Sequence, residues 1–568
     1  MTSATPAPAH RQDRGILSVH RSPTTPPKKT TDAQTCTAGD AATRTGPSDS
    51  RLYLNSHWLT DVLGGVTGGM AYLLFALTWL AGWRDPTRPL SADADLRHDA
   101  APEPRSPPPS REGLSNADPS RTVSGINWPN RASAMLPFAR EHLLTAFFMA
   151  LAVSVSAVQI LQTVLLVLMP SWRGAGRAGG VRAGGGATWT EFAPLRRHPL
   201  TRPFLLLTAL TVLSAATSGN PGWSLWIARD VLRITVFYLV LWYVRDGDHA
   251  HRVWSGFLVT LSLMAGYGLS QAWLCRVQPS AVPGAWLAAI CTNPDRVRGP
   301  FSIYMTFGDV LMLGALFFLA YLANVPARPV WWMAVAAPVT ISSLAATYAR
   351  HAWIGLATGL LILIPTSRRR VGIGLALLLV AVPGTIMVPQ TIRHRIQSII
   401  DLHDVTIRDR LAMWHSGLLM IYDHPLLGVG PGQVRAWYPA YRRPEAVRPS
   451  TGHLHSSPIH LAAERGLPAL AIWAWIWVVF FREGGRIWRQ LGRDRLRERA
   501  LVCASLSGVA AFLASGLFQH TFGDAAVVML VYALMALPFS VERRHSMLDP
   551  AGDSPPGAGA PRRPSTLP

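Results

Sequence analysis

The sequence predicts an all-α protein, a polytopic transmembrane helical bundle of about 12 spans with a long periplasmic loop. Three observations predict it. Hydrophobic residues make up 49% of the 568-residue chain and charged residues only 15%, and mean hydropathy is +0.21 despite long polar stretches. Apolar runs of about 20 residues, the length needed to cross roughly 30 Å of hydrocarbon, recur along the chain. Arginines gather in alternate short loops, as a fixed orientation in a membrane requires. The net charge of +21 invites a nucleic-acid reading, but 21 Trp and so few charged residues exclude nucleic acid as a partner and describe a chain built for lipid.

Residues 1–49 are polar, lack an apolar signal segment and read as a disordered tail. Residues 50–83 form a separate unit with one apolar run at 62–83, followed by a Pro-rich linker over 84–140. The membrane domain proper is expected over 141–540, with spans near 142–169, 200–217, 225–245, 252–274, 301–323, 329–347, 351–365, 371–389, 458–481, 500–519 and 524–540. Lipid offers no partner to backbone N–H and C=O groups, so each span must be a helix. Residues 541–568 read as a disordered cytoplasmic tail.

Orientation follows from the loops. Placing 482–499 inside also places 366–370, 324–330 and 245–252 inside, and these four loops hold thirteen Arg against four in the opposite short loops, 218–224, 275–300, 348–350 and 520–523. The C-terminus is then cytoplasmic, and 390–457 is a long outward loop, a length uncommon without a function. Cys275 and Cys291 share the outward loop 275–300. An oxidising periplasm would join them, or they remain two thiols near the interface.

Against this pattern a few outward cations stand out. Arg298 lies in RVRGPF and Arg350 in YARHAWIGL, both at the same membrane face. The long loop adds RLAMW (410–414), DHPLLGVGPG (423–432) and HLHSSPIHLAAERGLPAL (453–470). A lone interfacial Arg is commonly a snorkelling anchor. An outward cluster of guanidinium forks with a His beside a bilayer suits a lipid-linked pyrophosphate. His455 is the leading candidate for proton chemistry, with His453 and His460 competing for the role. The His-Leu-His pair has no adjacent carboxylate or Cys ligand, so neither a metal nor another cofactor is expected. Glu464 is a supporting candidate whose simplest role is to pair with Arg465 or another Arg. Arg229 and Arg233, four residues apart on one face of the 225–245 span, could add to a phosphate site, with Asp230 as a possible partner. The GVGPG run does not follow a strand and reads as tight turns.

At these residues the chain resembles the O-antigen ligase and polymerase family, bacterial multi-spanning enzymes that move glycans from undecaprenyl-pyrophosphate carriers. The resemblance covers roughly 200–540 and rests on Arg298 in RGPF, Arg350 before AWIGL, Arg410 in RLAMW, HPLLGVGPG, and His455-Ser456 followed after nine residues by Gly466. Ala469 stands where the family has a second glycine, and Ala349 where it has a Ser before the span-start Arg. The resemblance implies metal-independent glycosyl transfer at the periplasmic face of the bacterial inner membrane. Arg298, Arg350 and Arg410 would hold the pyrophosphate of an undecaprenyl-pyrophosphate-linked glycan, and His455 would deprotonate the acceptor hydroxyl. The acceptor would be a lipid A core, another glycan repeat or a protein hydroxyl.

Residues 50–61, SRLYLNSHWLTD, are similar to the third signature of the type-2 phosphatidic acid phosphatases. That resemblance implies Arg51 as phosphate ligand, His57 as nucleophile and Asp61 as its orienting group. The family's two upstream signatures are not found in residues 1–49, so 50–83 reads as a phosphatase remnant. Counting spans back from the C-terminus puts residue 61 inside, whereas a carrier-recycling phosphatase would keep its His outside. Either the span serves as the transferase's first helix or the count slips near GRAGGVRAGGG (176–186). Two rival functions stay in view: a lipid phosphatase, and a transporter, to which Asp309 within the 301–323 span lends some weight.

Overall fold

The computed structural model describes residues 142–169, 195, 197–276, 291, 296–326, 330–367 and 405–548. Among them the chain is helical throughout, with no strand. In chain order the helices are α1 (Val155–Leu168), α2 (Thr201–Ala216), α3 (Pro221–Ala228), α4 (Thr235–Tyr243), α5 (Gly247–Arg276), α6 (Tyr304–Asn324), α7 (Trp331–Thr347), α8 (Arg350–Thr366), α9 (Val405–Asp423), α10 (Val434–Tyr441), α11 (Ser457–Gln490), α12 (Leu496–Phe518) and α13 (Ala525–Leu548). Five stretches among the described residues are long and apolar enough to cross a membrane: Gly247–Cys275, Tyr304–Asn324, Ser457–Gln490, Leu496–Phe518 and Ala525–Glu542. Three shorter apolar helices accompany them, α1, α2 and α7. These helices fit a membrane protein; the runs expected at 62–83 and 371–389 lie outside the described residues, as do Arg51, His57 and Asp61.

Three expected spans are not single regular helices: 142–169, 225–245 and 458–481, the last broken at Gly466. The 142–169 run is helical at 142–150, turns at 151–153 and restarts as α1, where the Ser154 hydroxyl caps the new N-terminus by accepting the Ala157 N–H at 3.3 Å. The 225–245 run passes from α3 through a 3-10 segment, Arg229–Ile234, into α4. The 3-10 winding changes which side chains share a face, because residues three apart eclipse there. Arg233 therefore stacks on Asp230, forming an ion pair at 2.8 Å, and Arg229 does not share its face as a regular helix would make it do. The outward segment expected as a loop over 390–457 carries α9 and α10 within its described part.

The chain divides into two compact units. The larger holds α4 to α8, α12 and α13, among other segments. Its centre is α12, which packs on α8, α6 and α13. Close approach there depends on small residues: a Cβ on Gly355 would come within 2.8 Å of the Ala511 carbonyl, and one on Gly359 within 3.0 Å of the Ser507 carbonyl. Lipid supplies no hydrophobic drive for helix pairing, so such backbone proximity and its dispersion contacts hold α8 to α12. Ser505 adds a hydrogen bond from its hydroxyl to the Leu534 carbonyl of α13 at 2.7 Å. Within the same unit Cys275 and Cys291 form a disulfide, their Cα atoms 5.6 Å apart. The smaller unit comprises the second half of α2, α3, α9, α10 and the first part of α11.

Candidate functional site

In the smaller unit the three motifs at 410–414, 423–432 and 453–470 fold onto one another. Met413 and Met420 of α9, Val429 of the glycine turn, Val434, Trp437 and Tyr438 of α10, and Leu454 and Ala463 flanking the histidines form one buried cluster. Burial of these apolar faces fixes α9 against the start of α11. Pro458 sits in the first turn of α11, where its missing N–H costs nothing.

The glycine turn is a seat for α11. Val429 N donates to the Ala463 carbonyl and Gly430 N to the Glu464 carbonyl, each at 2.9 Å, while Leu467 N reaches back to the Pro425 carbonyl at 2.8 Å. A Cβ on Gly428, at φ +66°, would collide with the Glu464 carbonyl and the Arg465 nitrogen. Gly466 breaks α11 at φ 81°, ψ 171°, a region open essentially to glycine alone, and a Cβ there would strike the Leu426 carbonyl. The Ser214 hydroxyl of α2 lies 2.6 Å from the Leu427 carbonyl and 2.9 Å from the Glu464 carbonyl. The turns expected from GVGPG are there, and their purpose is backbone-to-backbone docking.

Glu464 is buried within this seat. Its Oε1 accepts the Gly432 N–H at 2.7 Å and lies 3.2 Å from His460 Nε2, and its Oε2 lies 3.2 Å from Arg465. The expected pairing with Arg465 holds, and His460 is committed to the same carboxylate.

His455 lies just before α11, buried, with its backbone left-handed at φ 50°. A bulky residue adopts that conformation only when its surroundings enforce it. Trp414 of α9 helps by donating its indole N–H to the His455 carbonyl at 3.4 Å. His453 lies beside it, the two ring centroids 4.4 Å apart. Burial, and then the positive neighbours His455, His460, Arg448 and Arg410, lower the His453 pKa to about 3. Of the three histidines, His460 is engaged by Glu464.

Arg410 projects from α9 into this field. Two residues that the sequence reading passed over complete it. Asp409, buried on α9, accepts the N–H groups of Val447 and Arg448 at 2.9 and 3.3 Å and lies 3.4 Å from the Arg448 Nε. Arg448 in turn brings its guanidinium to 3.4 Å from His455 Nε2. Asp409 was legible beside Arg410 in the motif; Arg448, in a polar turn, carried no local signal.

The remaining candidates belong to the larger unit. Arg298 precedes α6 in a loop whose backbone is pinned by buried Gln271, whose Oε1 accepts the N–H groups of Arg298 and Gly299 at 3.2 and 3.1 Å. Its neighbour Arg296 is occupied by Tyr304, stacking on the ring and bonding its hydroxyl. Arg350 opens α8, behind Tyr348 in the left-handed region and Ala349, which provides no side-chain cap. Arg229 and Arg233 sit in the 3-10 segment, Arg233 also reaching the Gly523 carbonyl at 3.4 Å. Asp309 is buried on α6, accepting the Ser515 hydroxyl at 2.8 Å and lying 3.4 Å from His351 Nε2.

Residues 334–474 match the O-antigen ligase family model. No curated protein matches the chain. The matched segment contains Arg350, Arg410, His455 and Glu464, as well as Asp409, Arg448, Gly428 and Gly466; Arg298, Arg229 and Arg233 lie upstream of it. Together with the apolar helices it supports a membrane-embedded glycosyltransferase of the O-antigen ligase type.

Proposed function

We propose that the protein is a glycosyltransferase of the bacterial inner membrane that moves a glycan from an undecaprenyl-pyrophosphate carrier to an acceptor hydroxyl at the periplasmic face. The observation that carries this reading is His455: buried, left-handed and faced by Arg448, inside the segment that matches the O-antigen ligase model. In the transfer, the acceptor O–H bond breaks and its proton passes to the imidazole. The acceptor oxygen bonds the anomeric carbon, and the carbon–oxygen bond to phosphate breaks with its electron pair leaving on the pyrophosphate. Arg298, Arg350 and Arg410 are assigned to the charge that develops on that leaving group. The Cys275–Cys291 disulfide supports an oxidising, outward environment for the loop before Arg298. The remaining spans of the twelve-helix reading, a cytoplasmic C-terminus and metal independence complete the proposal.

The acceptor, whether lipid A core, glycan repeat or protein hydroxyl, is read out by complementing ligase-null and polymerase-null strains and resolving their lipopolysaccharide on gels. His455→Ala and Arg350→Ala should abolish rescue, and His57→Ala should leave it intact. Normal glycan transfer by the His455→Ala protein would sink the mechanism.

A further inference from the structure

We infer that Arg448, anchored by Asp409, is a positioning residue that holds the His455 imidazole neutral, with its lone pair on Nε2. The inference rests on His455 being the base, and goes beyond it by saying what prepares that base.

The argument starts from donors and acceptors. A guanidinium has N–H groups and no acceptor, so the nitrogen facing it must offer a lone pair. Arg448 NH1 lies 3.4 Å from His455 Nε2, which makes Nε2 the acceptor and leaves the ring proton to Nδ1. The contact is long, so an incoming hydroxyl can take the place of the guanidinium N–H at the same lone pair. When the acceptor O–H bond breaks, its proton goes to Nε2 and its electron pair to the new glycosidic bond; Arg448 takes no proton.

Arg448 is held for this task from behind. Its side chain is half exposed, 51%, an arrangement that would leave it many rotamers if nothing gripped it. Asp409 grips it twice: Oδ1 accepts the backbone N–H groups of Val447 and Arg448, and Oδ2 lies 3.4 Å from Nε. The carboxylate sits on α9, whose Met413 and Met420 pack in the apolar cluster that also holds Leu454, so backbone and guanidinium share one reference with His455. The titratable and charged groups gathered here are Arg410 and Asp409 on α9, Tyr438 on α10, Arg442, Arg448, His453 and His455 before α11, and His460, Glu464 and Arg465 on it. Burial first, and then His455, His460, Arg448 and Arg410, depress the pKa of neighbouring His453.

The test uses the full chain in nanodiscs, labelled with 15N-histidine, whose ring shifts report tautomer and protonation. The His455 signal is assigned by its loss in His455→Gln. In the unsubstituted protein His455 should carry its proton on Nδ1. Arg448→Gln should mix the tautomers, because a carboxamide can accept as well as donate and no longer demands the Nε2 lone pair. Arg448→Lys, which also has no acceptor, should retain most of the preference, and Asp409→Asn should loosen it while the fold persists. A tautomer unmoved by Arg448→Gln, with His455→Ala inactive in complementation, overturns this inference alone. Full glycan transfer by His455→Ala overturns the base assignment and this inference with it.

Discussion

Glu464 Oε1 accepts the backbone N–H of Gly432 at 2.7 Å, joining a carboxylate on α11 to the end of a glycine turn thirty-two residues earlier. The same residue's carbonyl takes the Gly430 N–H, so main chain and side chain of Glu464 together close the turn. Through this joint, the helix that follows His455 is oriented by the turn that precedes α10.

The joint depends on two positions that tolerate no Cβ. Gly466→Ala should destabilise the protein by about 3 kcal/mol, combining strain at positive φ with a collision at the Leu426 carbonyl. Gly428→Ala should do the same, while substitution at Gly452, where a Cβ meets nothing within 4 Å, should be near neutral. Thermal unfolding in detergent measures all three, and equal midpoints would contradict the docking seat.

His453 makes stability pH-dependent in a defined direction. Its folded pKa of about 3 lies below the 6.5 of an ordinary His, so between those values the unfolded chain binds a proton that the folded chain refuses. Stability from this group is therefore intact above about pH 6.5 and falls as the pH drops toward 3. The thermal midpoint of the unsubstituted protein should fall further between pH 7.5 and 5 than that of His453→Gln. Parallel curves would refute it.

Asp309 ties α6 to α12 and α8 through Ser515 and His351. Asp309→Ala would leave a buried hydroxyl and a buried imidazole without their carboxylate, at a cost of about 1–3 kcal/mol. Asp309→Asn, which keeps an acceptor for Ser515, should cost less. A denaturant titration that ranks the two the other way would count against the tie. The residue that gave the transporter reading its support is thereby engaged in holding helices together.

Ala440 lies exposed at the end of α10. Ala440→Cys should react with a membrane-impermeant maleimide from outside intact spheroplasts. Protection from outside, with labelling only after lysis, would reverse the proposed orientation of the entire segment.

Much of the candidate site was legible in the chain because its parts are local. His455-Ser456 and Gly466, RLAMW with Arg410, and GVGPG can each be read from a few neighbouring letters, and the O-antigen ligase match covers all three. Arg233 and Arg229 show where local reading slips: the expectation of a shared face assumed regular helix winding, and a 3-10 turn sets the pairing by threes.

By itself the sequence determined the helical membrane class, since apolar runs of this length admit no other way to satisfy the backbone in lipid. Only the tertiary structure decided what those parts do for one another. The left-handed backbone at His455, the buried carboxylate of Asp409 and the guanidinium of Arg448 beside the imidazole arise from contacts between residues seven to forty-one positions apart. Hydropathy and periodicity report how one segment meets its solvent. They hold no record of which distant hydrogen-bond donor a buried acceptor will find, and that choice is made when the segments pack.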